Sequence, residues 1–159
     1  MSRLTATVTQ GGADAFAQAE MATALTGIKG TAYQVLELSL EFILPALSNF
    51  PVQAAAAQRL DVCITRRTKS AMPNISDVDV IHKFSWSAIY QTAAGWSPIF
   101  NPVSLWVPQG EVLVVEDPLY LQIDSTATTG TWSAVVNLEY EVKKISDIDR
   151  LSLLTLSLG

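Results

Sequence analysis

Apolar and polar residues alternate with a period near two along most of this chain, the pattern of strands with one buried face. Leu4, Ala6 and Val8 alternate with Thr5, Thr7 and Thr9 until Gly11-Gly12 closes the run, which predicts a first short strand. The stretch from Ala13 to Leu25 fits two periods: its alanines suit a helix, while Phe16, Gln18 and Glu20 against Ala15, Ala17, Ala19 and Met21 satisfy alternation. It is read as a strand, with helix as the alternative. Gly27 and Gly30 bracket a turn. The long strand that follows sets Tyr33, Val35 and Ile43 opposite Leu36, Leu38, Leu40 and Phe42 and stops at Pro45, which cannot donate to a ladder. Asn49 to Gln58 reads as a loop, and Leu60, Val62 and Ile64 then alternate with Asp61, Cys63 and Thr65.

From Val80 onward, His82, Phe84, Trp86, Ala88 and Tyr90 share one face and Lys83, Ser85 and Ser87 the other. A turn-rich loop from Ala93 to Pro102 carries Trp96 and Phe100. Short strands follow, one with Val103, Leu105 and Val107 on a face and one over Val112 to Val115. Leu119, Leu121 and Ile123 then oppose Tyr120, Gln122 and Asp124. In the last strand Trp132, Ala134, Val136, Leu138, Tyr140 and Val142 face one way. Ser146 with Asp149 resembles a capping box opening a helix that carries Leu151, Leu154 and Leu158, although Leu151 to Leu158 also suits an extended arm. About eight strands at this spacing predict an all-β fold, an eight-stranded antiparallel β-sandwich. Residues 1–145 make the sandwich, and residues 146–159 an apolar helix or arm of the same domain.

Composition narrows the class. The chain has 159 residues, enough for one core. Apolar residues make up 49% and charged residues only 16%, against about 25% charged in an ordinary soluble protein. With 10 basic and 15 acidic residues the net charge is −5, the wrong sign for a surface that neutralises nucleic-acid phosphates, so no direct sequence-specific nucleic-acid binding is expected. The beginning of the chain has no apolar signal region. The apolar run from Phe42 to Leu47 falls far short of the roughly 20 residues that span a bilayer.

Chemistry-bearing residues are sparse, and neither a catalytic group nor a cofactor is expected. His82 is the sole histidine and shares a face with Phe84 and Trp86, the setting of a core or interface imidazole. Cys63, the sole cysteine, has apolar flanks and reads as a small buried hydrophobe; a Cys63/His82 nucleophile pair has no motif behind it. If the loops bearing Asp77, Asp79, Glu116 and Asp117 converged, they would offer oxygens to Ca²⁺, but no ligand-loop spacing is present and no metal site is assigned. The basic run Arg66-Arg67-Thr68-Lys69 reads as a solvated strand end. Trp96 and Phe100, with Tyr90, offer rings for stacking on a sugar, which defines one functional alternative, a non-catalytic carbohydrate-binding module. The competing reading buries Trp96 and Phe100 against a neighbouring subunit. Leu151, Leu153, Leu154, Leu156 and Leu158 join them as expected subunit contacts, because so apolar a tail needs cover.

The phrase order adds a resemblance. Asp14-Ala15-Phe16 leads through Gly27 to Leu38-Ser39-Leu40-Glu41-Phe42. Leu119-Tyr120-Leu121-Gln122-Ile123 leads to Val136-Asn137-Leu138-Glu139-Tyr140-Glu141, then Ser146 and the leucine tail. Across nearly its whole length the chain resembles the small single jelly-roll capsid proteins of icosahedral viruses, in particular those of prokaryotic hosts. The resemblance implies a sandwich of jelly-roll type, a self-assembling structural subunit, homo-oligomers with or without other capsid proteins, and a place in the virion after synthesis in the host cytoplasm. The chain departs from many such proteins in lacking a basic arm, which suits a shell lined by other proteins or by membrane.

Overall fold

The computed structural model describes residues 1–22, 30–43, 58–88, 104–126 and 130–156. The strands are β1 (Ser2–Thr9), β2 (Ala17–Met21), β3 (Thr31–Ile43), β4 (Gln58–Thr65), β5 (Val80–Ala88), β6 (Ser104–Trp106), β7 (Leu113–Val114), β8 (Leu119–Thr126) and β9 (Ser133–Lys144), followed by helix α1 (Asp147–Leu156). They form two antiparallel sheets: a front sheet in the order β1-β9-β3-β6, with β7 also on β3, and a back sheet in the order β2-β8-β4-β5.

The pairing is nested. β1 pairs with β9, β2 with β8, β3 with both β6 and β7, and β4 with β5. The first half of the chain thus lies antiparallel along the second half, and this ribbon is rolled so that β9 also meets β3 and β8 also meets β4. That is the jelly-roll form of the β-sandwich. β6 and β7 occupy one strand position, since β7 covers Tyr33 and Gln34 while β6 covers Leu38 to Leu40. The eight-strand expectation therefore holds by position.

The core lies between the sheets. Leu38, Leu40 and Phe42 of β3, Leu60, Val62 and Ile64 of β4, Leu121 and Ile123 of β8, and Val136 and Leu138 of β9 are all buried there. Each such side chain contributes about 1.5–3 kcal/mol by leaving water. Leu4, Ala6 and Val8 point inward from β1, as their alternation predicts.

In three places the strand faces differ from the sequence reading. Tyr33 and Val35 share the core with Leu38, Leu40 and Phe42, because the ladder to β9 shifts between Val35 and Glu37. The extra residue, Leu36, is a bulge that reverses the phase of everything after it. In β6 it is Trp106 that packs against the core, while Leu105 is 61% and Val107 56% exposed; one indole outweighs two smaller side chains in buried area. In β4, Asp61 and Thr65 are buried along with the apolar face, and so is Cys63, as its apolar flanks predict. The segment read from Ala13 to Leu25 is a strand only over Ala17–Met21. It is preceded by a turn in which Asp14 has φ 53°, and residues 23–25 lie outside the described residues.

Gly30 starts β3 with φ 71°, a left-handed conformation that suits glycine, and its carbonyl accepts from Ile145 N at 3.0 Å. Gln10, beyond β1, is buried. Its side-chain amide donates to Ala15 O at 2.8 Å and Ser125 Oγ at 2.9 Å, and its Oε1 accepts from Trp132 N at 3.1 Å. The helix takes the place of the extended arm, and Ser146 caps it: Asp149 N donates to Ser146 Oγ at 3.1 Å, and the Ser146 hydroxyl in turn donates to Asp149 Oδ2 at 2.6 Å, in place of the backbone bond that would complete a capping box.

Candidate functional site: the outer faces, the open edges and the charged strap

Cys63, Asp61 and Thr65 are buried because residues 66–79 cross the outer face of the back sheet as a strap. Alternation puts Asp61 and Cys63 of β4 on that face, beside Gln122 and Asp124 of β8 and Lys83 and Ser85 of β5. Lys83 Nζ donates to Pro73 O of the strap at 3.0 Å and lies 3.3 Å from Asp61 Oδ2. On the other side Lys69 N donates to Gln18 Oε1 at 2.9 Å. Gln122 Nε2 donates to the same oxygen at 3.0 Å and to Thr65 Oγ1 at 2.9 Å. Polar side chains at the outward positions of a strand predict a wet face; here the strap turns them into a buried polar layer.

The strap is held by charge. Lys69 Nζ lies 2.9 Å from Asp77 Oδ2 and 2.7 Å from Asp79 Oδ2. Arg67 Nε is 3.7 Å from Asp79 Oδ1, and Arg66 Nε is 3.6 Å from Glu116 Oε2 while Nη1 donates to Val78 O at 3.0 Å. The basic run is therefore a set of latches and not a solvated strand end. Asp77 is held below its ordinary range by the backbone N–H of Asp79 and by Lys69, and Lys69 is raised by Asp79 and Asp77. The Lys69–Asp77 pair is therefore charged at neutral pH and is lost only as pH falls below the ordinary carboxylate range. On the same face burial pushes the Asp124 carboxyl up, and the nearby Asp61 adds to the shift.

Three of the four carboxylates weighed for Ca²⁺, Asp77, Asp79 and Glu116, are thus engaged with cations. Among the described residues no group of three or more His, Cys, Asp or Glu side chains is placed to hold a metal ion.

Cys63 and His82 do not meet. In the β4–β5 ladder His82 stands opposite Ile64 and Lys83 opposite Cys63, so the imidazole lies on the core face and the thiol on the outer face. Burial pushes the Cys63 thiol up to about 12, far from a nucleophilic thiolate. His82 instead stacks on Trp106, with ring centroids 4.3 Å apart and planes 14° apart, and meets Phe84 edge-on at 4.4 Å. β5 and β6 are edge strands of different sheets, so this stack closes one open side of the sandwich. Burial holds the imidazole below its ordinary value, in the neutral form. Trp106, the partner that sequence reading passed over, carried one signal: it is the bulkiest side chain of its strand.

Of the expected subunit contacts, Leu151 is on the helix and 63% exposed, with Ile148 beside it at 76%. Leu153 and Leu154 are half-buried. Leu156 is the last residue of α1. Trp96, Phe100 and Leu158, together with Tyr90, lie outside the described residues. Leu105 and Val107, which alternation places with Val103 on one face of a short strand, add an exposed apolar pair on the outer face of the front sheet. Elsewhere that face is lined by hydroxyls: Thr5 Oγ1 donates to Asn137 Oδ1 at 2.6 Å, and Thr9 Oγ1 and Ser133 Oγ share a hydrogen bond of 2.8 Å.

Fold and surface together define a jelly-roll β-sandwich with one strapped face and apolar side chains exposed on the front sheet, on the helix and, at Ile75 and Val78, on the strap itself. No protein-family model matches the chain, and a search of curated proteins finds no significant match. Among the described residues no helix is long and apolar enough to cross a membrane.

Proposed function

We propose that this chain is a structural, non-enzymatic subunit that self-assembles into a viral capsid or similar protein shell through apolar contacts. The observation that carries the reading is that large apolar side chains turn to solvent on a jelly-roll sandwich, Leu105 and Val107 at the β6 edge and Ile148 and Leu151 on α1 among them. Contiguous apolar area exposed on a folded domain marks an association surface, and the low charge of the chain leaves few groups to oppose close approach of copies. Closed symmetric assembly is the common outcome for such a subunit. Trp96, Phe100 and the leucines after Leu151 belong to the same contacts, with other capsid proteins or a lining membrane as further neighbours in the shell.

Electron microscopy of the purified protein at high concentration tests this. Rings, sheets or closed particles are expected, and dispersed single molecules would overturn the reading. The glycan-binding alternative rests on Trp96, Phe100 and Tyr90, and nothing among the described residues favours it.

A further inference from the structure

Among the described residues the two sheets have four edge positions, which differ in how they are guarded. β2 has five residues, and β6 has three and is cut off from β7 by a segment containing Pro108. β5 carries an extra residue, Ile81, where its ladder with β4 shifts. These are the usual devices by which a protein keeps its sheet edges from pairing with other chains. β1 has none of them: it runs for eight residues in unbroken register with β9 and holds no Lys, no Pro and no acidic residue.

The direction of its backbone groups follows from one hydrogen bond. Gln10 N donates to Trp132 O at 2.9 Å, in phase with the β1–β9 ladder. Alternation then turns the N–H and C=O of Leu4, Ala6 and Val8 toward β9, and those of Arg3, Thr5, Thr7 and Thr9 away from it. All four of these residues are exposed, and no described segment bonds to their outward backbone groups. The Thr5 and Thr9 side chains are engaged across the sheet with Asn137 and Ser133, so they do not serve the edge.

We propose that β1 is a self-docking edge that pairs antiparallel with β1 of a second copy of this chain about a twofold axis at Ala6, fusing two front sheets into one. This rests on the assembly reading and names one of its contacts. The register is set by the strand itself. With the axis at Ala6, Arg3 pairs with Thr9 and Thr5 with Thr7, so all four outward residues of each copy are used; a slip in either direction leaves some of them unpaired. On the inward face Leu4 of one copy then lies beside Val8 of the other. Arg3, the sole charge on the edge, meets a threonine and not its own counterpart, so no like charges oppose each other.

Three variants test the pairing. Ala6→Cys sets two thiols at a non-hydrogen-bonded pair, where Cα atoms stand about 4.5 Å apart, within reach of a disulfide. The variant is expected to yield covalent dimers under mild oxidation, while Cys63 stays buried. Thr7→Pro removes an outward N–H that the β1–β9 ladder does not use. Thr5→Glu/Thr7→Glu sets like charges opposite each other and serves if the proline variant folds poorly. Each of these two should weaken association measured by light scattering roughly tenfold or more, with an unchanged circular dichroism spectrum. If the wild-type chain assembles, both variants assemble equally well and Ala6→Cys gives no dimer, the β1 contact is overturned and the assembly reading stands on other surfaces. If the wild-type chain stays a single molecule and Ala6→Cys gives no dimer, both fall.

Discussion

Replacing Lys69 with methionine should open the strap without unfolding the sandwich. Lys69 Nζ holds Asp77 at 2.9 Å and Asp79 at 2.7 Å, and its side chain is 21% exposed. Charge-assisted hydrogen bonds of this kind are worth about 1.5–3 kcal/mol. Partial exposure returns some of that to solvent, leaving about 1–2 kcal/mol for the latch. A loss of that size raises the population of the open strap about 5–30-fold. Cys63 reports it directly, because the sole thiol of the chain is fully buried beneath the strap. Labelling with a disulfide reagent at neutral pH should accelerate by the same factor in Lys69→Met, with little change in melting temperature. Leu121→Ala is the control: it removes core volume at a cost of about 2–5 kcal/mol and should lower the melting temperature while leaving labelling through the strap unchanged. The reasoning is refuted if Lys69→Met labels no faster than the wild type, or if labelling in both variants follows global stability alone.

Other substitutions test separate parts of the structure. His82 is held below its ordinary value of 6.5 by burial, so the unfolded chain binds the proton more readily and stability should fall as pH drops below that value. His82→Phe keeps a ring against Trp106 and should flatten the pH dependence of the melting temperature between pH 7 and 5. Gly30→Ala places a Cβ at φ 71° and 3.4 Å from Ile145 O, and should cost about 1–2 kcal/mol in a denaturant titration. Gln10→Ala leaves the Trp132 N–H without its side-chain acceptor and Ala15 O without its donor, and should cost about 1–3 kcal/mol in the same titration.

Strands whose inner face is apolar and whose outer face meets water were legible in the sequence. The phases of β1, β5 and β9 follow from alternation, and Ser146 with Asp149 announced the helix start. Alternation failed where something outside the strand intervened. Leu36 is apolar like its neighbours, so nothing in the residue types marks it as the bulge that brings Tyr33 and Leu38 to one face. Asp61 and Thr65 read as solvent-facing because the strap that covers them is a separate, polar segment. Its latches join residues 8 and 10 positions apart, at Lys69–Asp77 and Lys69–Asp79, and no strand or helix period links them. Around β6 the pattern offered Val103, Leu105 and Val107 against one tryptophan, and counting residues misjudged what area decides. The jelly-roll order itself is carried by pairings such as Ser2 with Tyr140, which no local pattern contains. The opposite facing of Cys63 and His82 needed only strand parity to be seen.

The most direct test of the central claim is the molar mass of the purified chain by light scattering, measured over a range of protein concentration and repeated from low to high salt. Assembly driven by apolar contacts predicts a mass of many subunits that rises with concentration and survives salt that screens charge pairs. A single-chain mass of 17.2 kDa at every concentration and salt would contradict it.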